Sequence, residues 1–73
     1  MTLSKKASSI NIYMKIINIV RNKGFISILD LASLLKMRVV EIEMYVHKGV
    51  NESYLSKIGE DNRAIIMAKY RTL

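Results

Sequence analysis

The sequence predicts a small α+β domain, mainly helical, in which three helices are closed by a C-terminal β-hairpin. Three observations predict it. Residues 30–50, DLASLLKMRVVEIEMYVHKGV, hold two short helical patterns separated by a tight break. Ahead of them, a long apolar-periodic stretch stops at Lys23-Gly24 and is followed by the extended triplet Phe25-Ile26-Ser27. After them, two apolar runs at 54–58 and 63–70 flank Gly59-Glu60-Asp61-Asn62, four strong turn formers. The last run has a competing reading: a helix over 62–71, with acids at its start, bases at its end and alanines within it. That version would be an all-α helical bundle with a C-terminal helix.

Length and composition set the frame. A chain of 73 residues makes one domain, and at that size only about 60% of the unfolded surface is buried, so stability is marginal without reinforcement. With no cysteine, disulfides and thiolate metal sites are excluded, and the one histidine, His47, cannot hold zinc alone. A hydrophobic fraction of 51% excludes a disordered tail. What remains as reinforcement is a well-packed core or oligomerisation.

The elements follow in order. Residues 1–8 read as a flexible basic arm carrying Lys5 and Lys6, and 9–73 as the single domain. Ser8 or Ser9 caps a first helix running to about Asn22, with Lys23-Gly24 as its stop. Its apolar residues cover an arc of about 220°, where one core face needs about 100°. Either helices from two sides sandwich this helix, or Ile12, Ile16 and Ile19 meet a second chain. Phe25-Ile26-Ser27 is a short strand, which a C-terminal hairpin would supply with a partner. Ser27 or Asp30 caps the second helix, and Gly49 reads as the C-terminal glycine of the third.

Within 30–50, two helices joined by so short a turn must cross steeply to bury both apolar faces, and Ala32 supplies the small residue where backbones approach. The spacing Leu31, Ala32, Leu35, Met37, Ile42, Tyr45 resembles that of the helix-turn-helix family. The order helix, glycine, short strand, helix-turn-helix is similar to the winged-helix branch of that family, extending the resemblance back to about Ser9. One position departs: Lys36 stands where the family usually has glycine in the turn, so the turn takes another conformation or tolerates strain.

Charge points to a partner. Residues 1–29 carry five cations and no acid, residues 30–61 four cations against six acids, and residues 62–73 three cations, giving +6 overall. Two basic ends on one small domain suit a polyanion, most often nucleic acid. Enzymatic constellations are missing: there is no glycine-rich phosphate loop, and Glu41 and Glu43 point to different sides of a helix. The sequence therefore predicts no enzyme, no cofactor and no metal site.

The resemblance implies a double-stranded DNA-binding protein that regulates transcription, with the third helix in the major groove. Its contacts would be Arg38 to guanine, Val39 to a thymine methyl, Glu43 to cytosine, and His47 or Lys48 to base or phosphate. Lys57 and Arg63 would act from the wing, and Lys5 and Lys6 from the arm. A homodimer through Ile12, Ile16 and Ile19 would set two third helices about 34 Å apart. Winged helices also dock proteins, and Val39, Val40 and Met44 exposed together would form an apolar patch. The alternative is accordingly a small accessory subunit of a larger replication or transcription assembly. The apolar run near the start is broken by Asn11, Lys15 and Asn18 and has no small-residue cleavage site after it. The expected setting is thus cytoplasmic, without a membrane partner.

Overall fold

A computed structural model describes the backbone of residues 5–59 and 67–73, and the side chains of these from Asn11 onward. The element order is α1 (Lys5–Lys23), β1 (Ile26–Ser27), α2 (Ile28–Leu35), α3 (Val39–Asn51), β2 (Leu55–Ile58) and β3 (Lys69–Thr72). The strands form one antiparallel sheet in the order β1-β3-β2, with Ile26 opposite Tyr70 and Lys57 opposite Tyr70 on the other side. The three-helix-plus-hairpin architecture is the expected one, and the short first strand pairs with the hairpin as its sequence required. A helix over 62–71 is excluded where the chain is described, because residues 69–72 are strand.

Each helix ends on a residue in the left-handed region. Gly24, at φ 87°, closes α1 and donates to the Val20 carbonyl at 2.9 Å, a conformation that glycine adopts without steric cost. Lys36 closes α2 at φ 55°, ψ 45°. Its N–H reaches Ser33 at 3.4 Å, and that of Met37 reaches Ala32 at 3.0 Å. These paired bonds are a Schellman motif, so the turn keeps the conformation glycine would favour and lysine bears the strain. Ser53, at φ 66°, does the same for α3, with Tyr54 donating to Gly49 at 2.8 Å and Ser53 to Val50 at 3.1 Å.

Several sequence-based boundaries move. Helix α1 begins by Lys5, before the expected caps Ser8 and Ser9, so Lys5 and Lys6 belong to the helical backbone and not to an arm. Of the two candidates for the α2 cap, it is Ser27 whose hydroxyl accepts from the Asp30 N–H at 3.0 Å. Gly49 does not end α3, which continues to Asn51. It is a buried contact: a Cβ there would stand 2.7 Å from Leu55 Cδ1. Hydrogen-bonded pairing resumes at Lys69 opposite Ile58, so β2 and β3 are joined by 59–68, not by the four-residue turn at 59–62. Residues 60–66 of that connection lie outside the described residues.

The core lies between the sheet and the three helices. Ile16, Val20, Ile28, Leu31, Ile42, Val46 and Leu55 are almost completely buried, joined by Tyr13, Ile17 and Tyr70. Helix α1 packs against α3 and β3, which accounts for its wide apolar arc. Ile16 is 0% exposed, and Ile12 and Ile19 are partly buried against the same core. Ile16 is therefore closed to the expected dimer contact, because α1 is covered within the chain by a helix and a strand, where helices on both sides were expected. No described helix is long and apolar enough to cross a membrane.

Candidate nucleic-acid interface

The interface is built outward from the turn between α2 and α3. That turn, Lys36-Met37-Arg38, carries two exposed cations around a half-buried methionine. Met37 packs against the core and pins the turn, as the apolar residue after a Schellman cap usually does. Arg38 is the N-cap of α3, with extended backbone at φ −71°, ψ 143°, and its carbonyl accepts from Glu41 and Ile42 at 3.1 Å. Its side chain makes no cap hydrogen bond. Serine, threonine, aspartate or asparagine would satisfy a free N–H there, whereas a cation meets the positive end of the helix dipole.

Helix α3 turns Ile42, Val46 and Gly49 inward. Directly opposite, at helical spacing, stand Val40, Met44, His47 and Asn51. All four are exposed, the two apolar ones to 59% and 60%. Glu41, in the first turn, flanks this stripe and is exposed as well. The stripe begins at Val40, two residues beyond the N-cap Arg38, so the exposed cations of the turn lie next to its start along the chain.

Residue by residue, the structure sorts the sequence-based candidates. Arg38 and His47 stand on this surface. Val39 does not, being half-buried against the core, so the apolar role passes to Val40 and Met44. Glu43 is half-buried as well, and its charge helps raise the phenol of Tyr70, after burial as the larger cause. It lies on the flank of α3, off the exposed stripe. Lys48 is engaged within the chain: its Nζ lies 3.2 Å from Glu52 Oε2 and 5.3 Å from the centre of the Tyr13 ring. Lys57 is opposite Tyr70 and, by strand alternation, shares the helix-facing side with buried Leu55, where it is half-buried. Arg63 lies outside the described residues, as do the side chains of Lys5 and Lys6.

Lys48 belongs to a cluster that fastens the end of α3 to α1. The Tyr13 hydroxyl donates to Glu52 Oε1 at 2.7 Å. The Tyr13 ring stacks on Tyr45 at 6.5 Å and meets Tyr54 edge-on at 6.4 Å. Burial first, then the hydrogen bond to Glu52, push the Tyr13 phenol well above the usual tyrosine range. Reciprocally, the hydroxyl of Tyr13 and then Lys48 hold the Glu52 carboxylate below its usual range. This network is a clasp between α1 and the C-terminal end of α3.

No protein-family model, curated protein or solved structure matches the chain. The geometry alone therefore has to nominate the site. It offers two further surfaces besides α3. The outer side of the sheet presents exposed Ile58, Lys69 and Arg71 together with half-buried Ser56. Next to it, Phe25 lies under the Lys69 ammonium at 5.0 Å and lines an open cleft of about 560 Å³ with Lys23, Asp30 and Leu34. Among the described residues no three His, Cys, Asp or Glu side chains gather as metal ligands. Sequence reading missed Lys36 as a site residue. The available signal was a lysine in a turn that favours glycine, which makes sense if the charge is worth the strain.

Proposed function

We propose that the chain is a double-stranded DNA-binding module of the winged helix-turn-helix type, acting in transcription regulation, with α3 as its reading helix. One observation carries this reading. Two neighbouring positions of the α2–α3 turn give up local stability, and both hold exposed cations. Lys36 takes a left-handed backbone that costs a non-glycine residue about 1–2 kcal/mol. Arg38 occupies a cap where Ser or Asp would add about 1 kcal/mol. Departures from local preference concentrate where function needs them. In this turn they put positive charge at the entrance to an exposed helix face. That is where phosphate contacts position a reading helix and its first residues meet base edges.

The test is fluorescence anisotropy of a labelled random duplex titrated with the whole chain at about 50 and 200 mM salt, a range over which phosphate contacts lose most of their affinity. Micromolar binding that weakens steeply with salt supports the reading, and absence of binding at the lower salt ends it. On a selected target, Arg38→Ala weakens specific binding more than non-specific binding, by about 1–3 kcal/mol. An equal loss on all sequences would leave Arg38 as a phosphate contact only.

A second reading is favoured by the exposed pair Val40 and Met44. A docking module, serving as an accessory subunit of a replication or transcription assembly, would use the same stripe against another protein. The absence of duplex binding selects it.

A further inference from the structure

We propose that α3 reads thymine by its C5-methyl group, through Val40 and Met44, so that the favoured duplex is rich in A·T pairs beside a guanine met by Arg38. This rests on the DNA-binding reading above and narrows it to a class of sequence. The bidentate partners of adenine are asparagine and glutamine, and in α3 the one such residue is Asn51, at the far end of the helix from the turn. Nearer the turn, where a reading helix meets base edges, the stripe is apolar: Val40 and Met44, exposed to 59% and 60%. In the major groove, the apolar feature of a base edge is the thymine methyl.

The spacing is suitable. Four residues along a helix advance about 6 Å, close to two base steps of about 3.4 Å each. Val40 and Met44 would therefore meet methyls two base pairs apart. Charge complementarity selects DNA over an apolar protein groove as the occupant. Lys36 and Arg38, both exposed, precede the stripe, and the chain carries +6 overall. Glu41, the exposed carboxylate beside the stripe, can accept from the N4 amino group of cytosine or the N6 amino group of adenine, so it disfavours phosphate at that point but not a base edge.

The experiment compares four labelled duplexes with the whole chain: alternating dA·dT, the same duplex with deoxyuridine for thymidine, alternating dG·dC, and its 5-methylcytosine counterpart. Uracil keeps every hydrogen-bonding atom of thymine and lacks only the methyl. Covering one methyl is worth about four-fold in affinity, so two should give about fifteen-fold for dA·dT over dA·dU. The 5-methylcytosine duplex should likewise exceed dG·dC. Val40→Ala with Met44→Ala should abolish both differences, so that dA·dT and dA·dU bind alike. Both side chains are exposed, so the variant keeps its core.

Equal binding of dA·dT and dA·dU by the parent chain overturns the inference and leaves DNA binding intact. So does discrimination that persists in the double variant, because the methyls would then be read elsewhere. Failure to bind any of the four duplexes at low salt removes the DNA reading itself, and the methyl inference with it.

Discussion

At the scale of single residues, Lys36 and Arg38 set stability against function. Lys36→Gly should stabilise the fold by about 0.5–1 kcal/mol, the left-handed strain relieved less the entropy cost of glycine. Arg38→Ser should stabilise by a similar amount through the cap it creates. Urea midpoints should rise in both while duplex affinity falls. Ser53→Gly is the control, since it relieves the same strain at φ 66° far from the cationic turn and should leave affinity alone. An unchanged affinity in Lys36→Gly would make Lys36 a turn residue only. Glu52 gives a second prediction. Its folded pKa lies below the unfolded value of about 4.3. The stability it adds is therefore complete above that pH and disappears as the pH falls through the lower folded value. Glu52→Gln should flatten the acid limb of the melting-temperature profile below about pH 4.3. Tyr13 works in the opposite sense. With its phenol raised, its contribution is whole below about pH 10 and is lost as the pH climbs beyond, so Tyr13→Phe should flatten the alkaline limb. The turn itself, with Lys36 and Arg38 in it, could be read from the sequence because the helical patterns on either side bracket it, and of the two cations only Arg38 stood out as a contact. The capture of Lys48 by Glu52 and Tyr13 could not. Tyr13 and Glu52 are 39 residues apart, and no local pattern links them.

Among the elements, α3 shows what periodicity conveys and what it misses. Ile42 and Val46 were legible as its inward face, and so was the outward placing of Val40, Met44 and His47. Val39 and Glu43 sit at the edge of the arc, where a hairpin at the flank decides between groove and sheet. Gly49 illustrates the limit. A glycine near a helix end suits a C-terminal cap or a close approach equally well, and only the position of Leu55 separates them. Alanine at 49 gains about 1 kcal/mol in helix propensity but meets Leu55 Cδ1 at 2.7 Å. Overpacking a filled core costs about 1–3 kcal/mol, so Gly49→Ala should destabilise on balance. In a Leu55→Ala background the obstruction is gone, and the same substitution should stabilise by about 1 kcal/mol. A double-mutant cycle in urea would read this inversion of sign, and its absence would mean that the helix and strand shift apart freely.

For the molecule as a whole, the wide apolar arc of α1 was legible but its consequence was not, because one helix cannot reveal how many neighbours it has. The answer is that α3 and β3 both cover it, and Ile16 is sealed inside one chain. Ile16→Ala should therefore cost about 2–5 kcal/mol, a large share of what so small a domain possesses. Melting should be independent of protein concentration for both the parent and the variant. A concentration-dependent midpoint in the parent would mean that copies associate through some other face. The order of the strands has a consequence for how the protein is made. The middle strand, β3, is formed by residues 69–72, whereas its neighbours come from residues 26–27 and 55–58. A ribosome delivering about 5–20 residues per second thus releases both flanking strands before the one that joins them. Until Tyr70 emerges, Ile26 has no partner and one side of α1 lies open. The nascent chain is then a set of helices with two unsatisfied strand edges, the kind of surface that chaperones hold and proteases trim. A chain that stops short of Lys69 would remain permanently in that state.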